Sequence, residues 1–238
     1  MAPHDPVLDT ARRLEPDRYL AALYAPEPAR TTLLALAAFQ GEITRVPLTV
    51  REPLLAEIKL QWWRDALAQA ARGQATGHPI VDRLAGGLQS GQLPIGLLAG
   101  MIDAAAEYRS IATTPDSQVL RTHLHKSHGA AFTLAARALG ATHSEALDEA
   151  TQAAGLAYGL ARSITRPGAN SDTAARCRAA LAEATTAAAR LDSALTPGFL
   201  PLAMVSAYLK VASRATGEVS PLQRWWRLWR AQRTGRLA

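Results

Sequence analysis

DRYLAALYAPEPARTTLLALAAFQGEITRV, residues 17–46, followed after a short break by EPLLAEIKLQWWRDAL, residues 52–67, decides how the chain folds. Alanine and leucine fill both runs, and both residues favour helix. Prolines cut the stretch into three helices. Asp17 is placed to cap a short helix ending near Ala25, and Pro26 and Pro28 stop it and restart a second from about Ala29 to Val46. Pro47 ends the second helix, and the third runs from about Arg51 to Ala71, closed by Gly73. In this third helix Leu55, Ile58, Trp62 and Ala66 share a face by three- and four-residue steps, with Glu57, Gln61, Arg64 and Asp65 beside them. Trp62 and Trp63 point about a hundred degrees apart. One is expected in the core and the other against a neighbouring helix or in a cleft.

Working outward, the same composition holds throughout. The chain has 238 residues and is 48% hydrophobic, enough for one domain with a substantial core. An all-α, single-domain helical bundle over residues 17–238 is the expectation, with residues 1–16, broken by Pro3, Pro6 and Pro16, as a loose lead-in. Further helices are expected over Ile80–Gln89, Ile95–Ile111, Val119–Leu139, Ser144–Thr165, Asp172–Ala194, Leu200–Thr216 and from Ser220-Pro221 to about Arg233, with Asp116 placed to cap the third of these. No run of eighteen apolar residues escapes a charge, so no membrane-spanning helix is expected. The start lacks the apolar segment of a secretory signal. A single cysteine, Cys177, excludes an internal disulfide and fits a reducing, cytoplasmic setting. The net charge of +6 comes mostly from dispersed arginines, without zinc-finger spacing, an aromatic RNA-binding signature or a lysine-rich tail, so nucleic acid is not an expected partner.

The residues of the opening stretch, together with FLPLAMVSAYLK (199–210) and PLQRWWRLWRAQR (221–233), resemble the squalene/phytoene synthase family. More narrowly they are similar to a bacterial branch related to the mitochondrial complex I assembly factor of that family. The resemblance extends over Asp17 to Arg233, with a gap around Arg166 to Ala180. It implies the isoprenoid synthase fold. It also implies two aspartate-rich motifs that hold Mg²⁺ across a helical cavity and ionise a prenyl diphosphate.

Neither motif is present as the family has it. After Ala38-Phe39 the expected aspartates fall at Thr44 and Arg45 and the next acid near Leu48. Glu42 lies at the wrong step and is expected to pair with Arg45 at i,i+3. In AAGLAYGLARSITRPGAN (153–170) the expected acids fall at Arg166 and Asn170, and Pro167 should end the helix near Thr165. Arg45, Arg162 and Arg166, with Tyr158, are therefore the candidates for a degenerate diphosphate site. The alternative is that these arginines pair with Glu or Asp across the old cavity, which should be smaller or partly filled.

Three other features invite weighing. His123, His125 and His128 sit in RTHLHKSHG; on a helix His125 and His128 share a face while His123 points elsewhere. Without a nearby acid or cysteine they are expected to line a surface or cleft rather than hold a metal. Cys177 lies between Arg176 and Arg178, which would lower its pKa, but no partner base is recognisable and a structural thiol is expected. In the last helix Trp225, Trp226 and Trp229 occupy one sector, with Arg224, Arg227 and Arg230 largely opposite. Such a helix either lies on a membrane or closes the core with its tryptophan face, and the second is the expectation carried forward.

Taken together, the expected protein is a squalene/phytoene synthase-like bundle with no catalytic residues or metal. It would act as a binding or assembly factor for a respiratory membrane complex, at the inner face of the membrane with weak peripheral contact. The alternatives are an active prenyl transferase that uses Mg²⁺ through relocated acids (Asp65, Asp103, Glu107) and a binder of prenyl or lipid chains.

Overall fold

The chain enters its first helix earlier than its prolines suggested. In the computed structural model, which describes residues 5–111, 117–164, 171–212 and 218–237, α1 spans Pro6–Leu14. The Asp5 carboxylate accepts from the amides of Val7 (3.0 Å) and Leu8 (3.4 Å), and Val7 and Ala11 are wholly buried. Pro6 stands at N1, where its missing N–H costs nothing. The loose lead-in expected for residues 1–16 is thus corrected over residues 6–14. Asp17 does not cap α2 (Pro16–Ala22) either: it lies inside the helix and is fully buried.

The rest follows the expected pattern with local differences. α3 (Ala29–Thr49) runs through Pro47, which lies close enough to the helix end that only the last turn adjusts. α4 (Pro53–Ala71), α5 (Pro79–Gln89) and α6 (Ile95–Ile111) come next. The single helix expected over 119–139 is α7 (Ser117–Leu124), a π-helical turn (His125–Gly129) and α8 (Ala130–Ala138). Then come α9 (Glu145–Ile164), which the Ser144 hydroxyl caps by accepting from Leu147 (3.2 Å), and α10 (Ser171–Ala188). Pro197 and Pro201 break the following stretch into 3₁₀ turns, the short α11 (Thr196–Phe199) and α12 (Val205–Ala212). The last helix, α13 (Pro221–Thr234), is capped by Ser220 and closed by Gly235 at φ +67°. No strand occurs among the described residues.

Two apolar clusters fill the bundle. One gathers α1, α3, α4, α5, α6 and part of α8 with Ala22 of α2; the other gathers Ala21 of α2, Leu124 of α7, Phe132 and Ala136 of α8, and α9 to α13. Their packing is tightest where α9 crosses the π-helical turn: a Cβ on Gly155 would stand 2.3 Å from the backbone nitrogen of Gly129. Only two glycines let these backbones touch. Among the described residues one stretch, Ser193–Ala212, is long and apolar enough to cross a membrane, and 67% of its apolar window is buried inside the bundle.

Candidate functional site

Among the described residues the buried Asp, Glu and Arg side chains come from the α1–α2 junction. Glu15, Asp17 and Arg18 are 2%, 0% and 8% exposed. Pro16 starts α2 immediately after Glu15, so the turn from α1 into α2 drives all three inward. Such burial demands partners, and three distant helices supply them. Tyr158 of α9 and Tyr208 of α12 donate their hydroxyls to Asp17 Oδ2, Tyr158 at 2.8 Å, and Arg224 of α13 donates Nε–H to Oδ1. One α9 turn beyond Tyr158, Arg162 reaches Glu15 at 3.2 Å. Arg18 lies 3.9 Å from Glu15 and stacks on Phe132 (4.6 Å) and Tyr158 (5.3 Å).

The electrostatics follow from this geometry. Glu15 raises the Arg162 pKa well above its ordinary value. Burial lowers that of Arg18, outweighing the opposite pull of Tyr158, Glu15 and Asp17. Burial first, and Asp17 next, push both phenols up, so each remains a hydrogen-bond donor to the carboxylate.

α3 and α9, the helices that would carry facing acids, are bridged by the π-helical turn. His128 Nδ1 lies 3.1 Å from Gln40 Nε2 of α3, and its ring meets Tyr158 of α9 edge-on at 5.5 Å. His123, on α7, is 9% exposed, whereas His125 and His128 are both half-buried. Beside Arg18 and Gln40 the interior cleft between α2, α3, α6, α8 and α11 measures ≈ 20 Å³, room for about one water. Its walls are Ala21, Ala22, Ala37, Ala131 and Ala135 with leucines between them, and these small side chains let the helices close.

Mg²⁺ needs hard oxygen ligands free to bind it. The two carboxylates here are already engaged by guanidinium groups, and three arginines share the site with them. Among the described residues no group of three or more His, Cys, Asp or Glu is disposed to hold a metal. Among the described residues the Glu15–Asp17–Arg18 cluster does not fit a Mg²⁺–diphosphate centre.

Arg45 stands apart from Arg162. It is exposed, pairs with Glu42 at 3.7 Å as the i,i+3 spacing suggested, and faces a groove of ≈ 170 Å³ with Lys59, Trp62 and Trp63. Arg166 lies outside the described residues. Of the tryptophan pair, Trp63 is buried edge-on to Phe39 and Trp62 is half exposed. Leu55 and Ile58 share that exposed face. Asp65 accepts from Gln61 (2.8 Å); Asp103 pairs with Arg64 (2.6 Å) and Glu107 with Lys126 (3.4 Å), all on the surface. Cys177 is buried and donates to the Ala157 carbonyl, and burial, against Arg178, pushes its thiol up to about 11 rather than down.

The last helix reverses an expectation. Trp225 and Trp226 are 46% and 51% exposed, while Leu228, Ala231 and the Arg224 side chain turn inward. The tryptophan face does not close the core. The buried salt link supplied by Arg224 and the small Ala231 set the docking side instead. Glu15, Asp17, Arg18 and Tyr208 were not foreseen as partners. A visible signal is Tyr158 and Arg162, one turn apart in the largely apolar second half of α9.

Comparison with known proteins agrees with this architecture. A family model described as squalene/phytoene synthase matches residues 11–170. No curated protein matches the chain. Among solved structures the chain is similar to squalene synthase HpnC from Alicyclobacillus acidocaldarius, at 17% identity and a TM-score of 0.60, over 96% of this chain and 94% of that one. At that identity the likeness shows the fold, that of the isoprenoid synthases.

Proposed function

The chain belongs to the squalene/phytoene synthase family, and from that membership we propose that it acts by binding rather than by prenyl-transfer chemistry. The observation that carries this reading is the Arg162–Glu15 pair of 3.2 Å, buried beside Asp17–Arg224. Ionising a diphosphate needs a cation to take up charge on the leaving group; where the resemblance puts the acids of the first motif the chain has Thr44, Arg45 and Leu48, and the buried Glu15 and Asp17 are neutralised by arginine. The ≈ 20 Å³ cleft beside Arg18 supports the same reading, since a prenyl chain has no room there. Within it, an assembly or stability role for a respiratory membrane complex rests on the branch that the amino-terminal and carboxyl-terminal segments resemble. A setting at the inner face of that membrane goes with it. Purified full-length protein given Mg²⁺ with farnesyl or geranylgeranyl diphosphate should release no pyrophosphate above background; release at an enzymatic rate would sink the proposal. An enzyme with relocated acids is supported less, because Asp103 and Glu107 are exposed and each is paired with a cation.

A second reading has one observation in its favour. Arg18 Nε and one of its terminal nitrogens, and Gln40 Oε1, are buried without a protein hydrogen-bond partner and border the apolar cleft. A buried guanidinium with free donors suits the anionic head of an apolar chain, given a wider cleft. Native mass spectrometry of the purified protein tests this: a bound prenyl or acyl species lost in Arg18→Gln supports it, and apo protein alone contradicts it.

A further inference from the structure

α13 carries two faces. Toward the bundle it presents Arg224, Leu228 and Ala231; on the opposite side Leu222, Trp225, Trp226 and Trp229 recur at i, i+3, i+4 and i+7. Leu222 is 75% exposed, more than any other large hydrophobic residue described. The indoles form a ladder, Trp226 against Trp229 at 4.9 Å and Trp225 against Trp229 at 6.1 Å. Arg233 lies over the Trp229 ring at 5.8 Å, and Arg230 and Arg236 are exposed nearby. No acidic residue occurs between Pro221 and Ala238.

We propose that this outer face of α13 docks the protein on an anionic lipid surface, with the tryptophans at the headgroup boundary and the arginines on the lipid phosphates. Trp225, Trp226 and Leu222 left in water, with Trp229 half-buried between them, on a helix already anchored by its other side are costly unless something covers them. The occupant is chosen by charge: uniformly cationic flanks with no carboxylate complement phosphate headgroups, and indole is the side chain suited to an interface that is apolar on one side and wet on the other. Arg224 has a distinct part. By pairing with Asp17 it holds the helix down, so the tryptophan side stays outward. The inference does not depend on the non-catalytic reading, because the face lies outside the Glu15–Arg162 site.

Sedimentation of the full chain with phosphatidylcholine vesicles, with and without phosphatidylglycerol, tests it. Binding is expected only with phosphatidylglycerol, and should fall as salt is raised. Trp225→Ser/Trp226→Ser should abolish it. Arg230→Gln/Arg233→Gln, which touches only exposed side chains, should weaken it roughly twenty-five-fold at about fivefold per arginine, with circular dichroism and melting temperature unchanged. No sedimentation with phosphatidylglycerol vesicles, or equal sedimentation by the variants, overturns the proposal. So does a concentration-dependent dimer that Trp225→Ser/Trp226→Ser abolishes without any vesicle binding, which would give the face to a second copy of the chain.

Discussion

Arg224, on the last helix, donates its Nε–H to the carboxylate of Asp17 at 2.5 Å across 207 positions of chain. The contact joins the two ends of the sequence inside the bundle, beside the buried Arg162–Glu15 pair. The same atoms thus fix the fold and support the functional reading.

Breaking this link should be expensive. Asp17 is fully buried and accepts from two phenols and one guanidinium. Asp17→Ala leaves Arg224 and both hydroxyls facing a hole, so a loss of about 3–5 kcal/mol in urea unfolding is expected. A loss below about 1 kcal/mol would mean that water replaces the carboxylate freely.

Gly155→Ala should destabilise the protein although alanine is the better helix former. The added methyl meets Gly129 backbone at 2.3 and 2.4 Å, and backbone yields less than a side chain. Overpacking of about 1–3 kcal/mol outweighs the gain in propensity of about 1 kcal/mol. Gly86→Ala is the contrast: in α5, with nothing within 4 Å of the new Cβ, it should be neutral or raise the melting temperature.

At the amino terminus, Asp5 caps α1 and also binds Arg83 at 2.7 Å. Burial alone would raise its pKa, but the hydrogen bonds from Arg83 and Val7 outweigh that and lower it below the ordinary 3.8. A depressed carboxylate stabilises above its unfolded pKa, and that contribution is lost as the pH falls through the folded value. Asp5→Asn should therefore lower stability at neutral pH and flatten the acid limb of the stability profile below about pH 4. An unchanged acid limb would contradict this.

Cys177 should behave as a buried thiol. Its pKa is raised by burial from 9.0 to about 11. The folded state therefore keeps the proton, and its stabilising contribution is complete below pH 9 and lost as the pH rises toward 11. Cys177→Ala should make the alkaline limb less steep, and iodoacetamide should label the native protein at pH 8 far more slowly than the urea-unfolded chain. Fast native labelling would refute the buried thiol.

Helix content and several helix limits were legible because alanine, leucine, proline and glycine act locally: α5, α6 and the start of α13 fall where their punctuation put them. Residues 6–14 were missed because Pro6 was read as a breaker, when at N1 proline begins a helix. Pro47 misled in the opposite sense. The π-helical turn at His125–Gly129 has no local signature; it arises where α9 presses Gly155 onto Gly129. The Glu42–Arg45 pair was readable from spacing, whereas Asp17–Arg224 was not, since nothing local joins residues at opposite ends of a chain. The Trp/Arg pattern of α13 admits a core-closing or an interfacial tryptophan face, and the core-closing expectation fails. One buried arginine reversed it, and no periodicity encodes which of two amphipathic faces finds a partner.

The most direct test is a calorimetric titration of a non-hydrolysable farnesyl diphosphate analogue into the purified full chain, with and without Mg²⁺. A protein whose site carboxylates are held by Arg162 and Arg224 should show no binding, or weak binding that Mg²⁺ does not change. Tight, Mg²⁺-dependent binding would contradict it, since it requires carboxylates free to hold the metal.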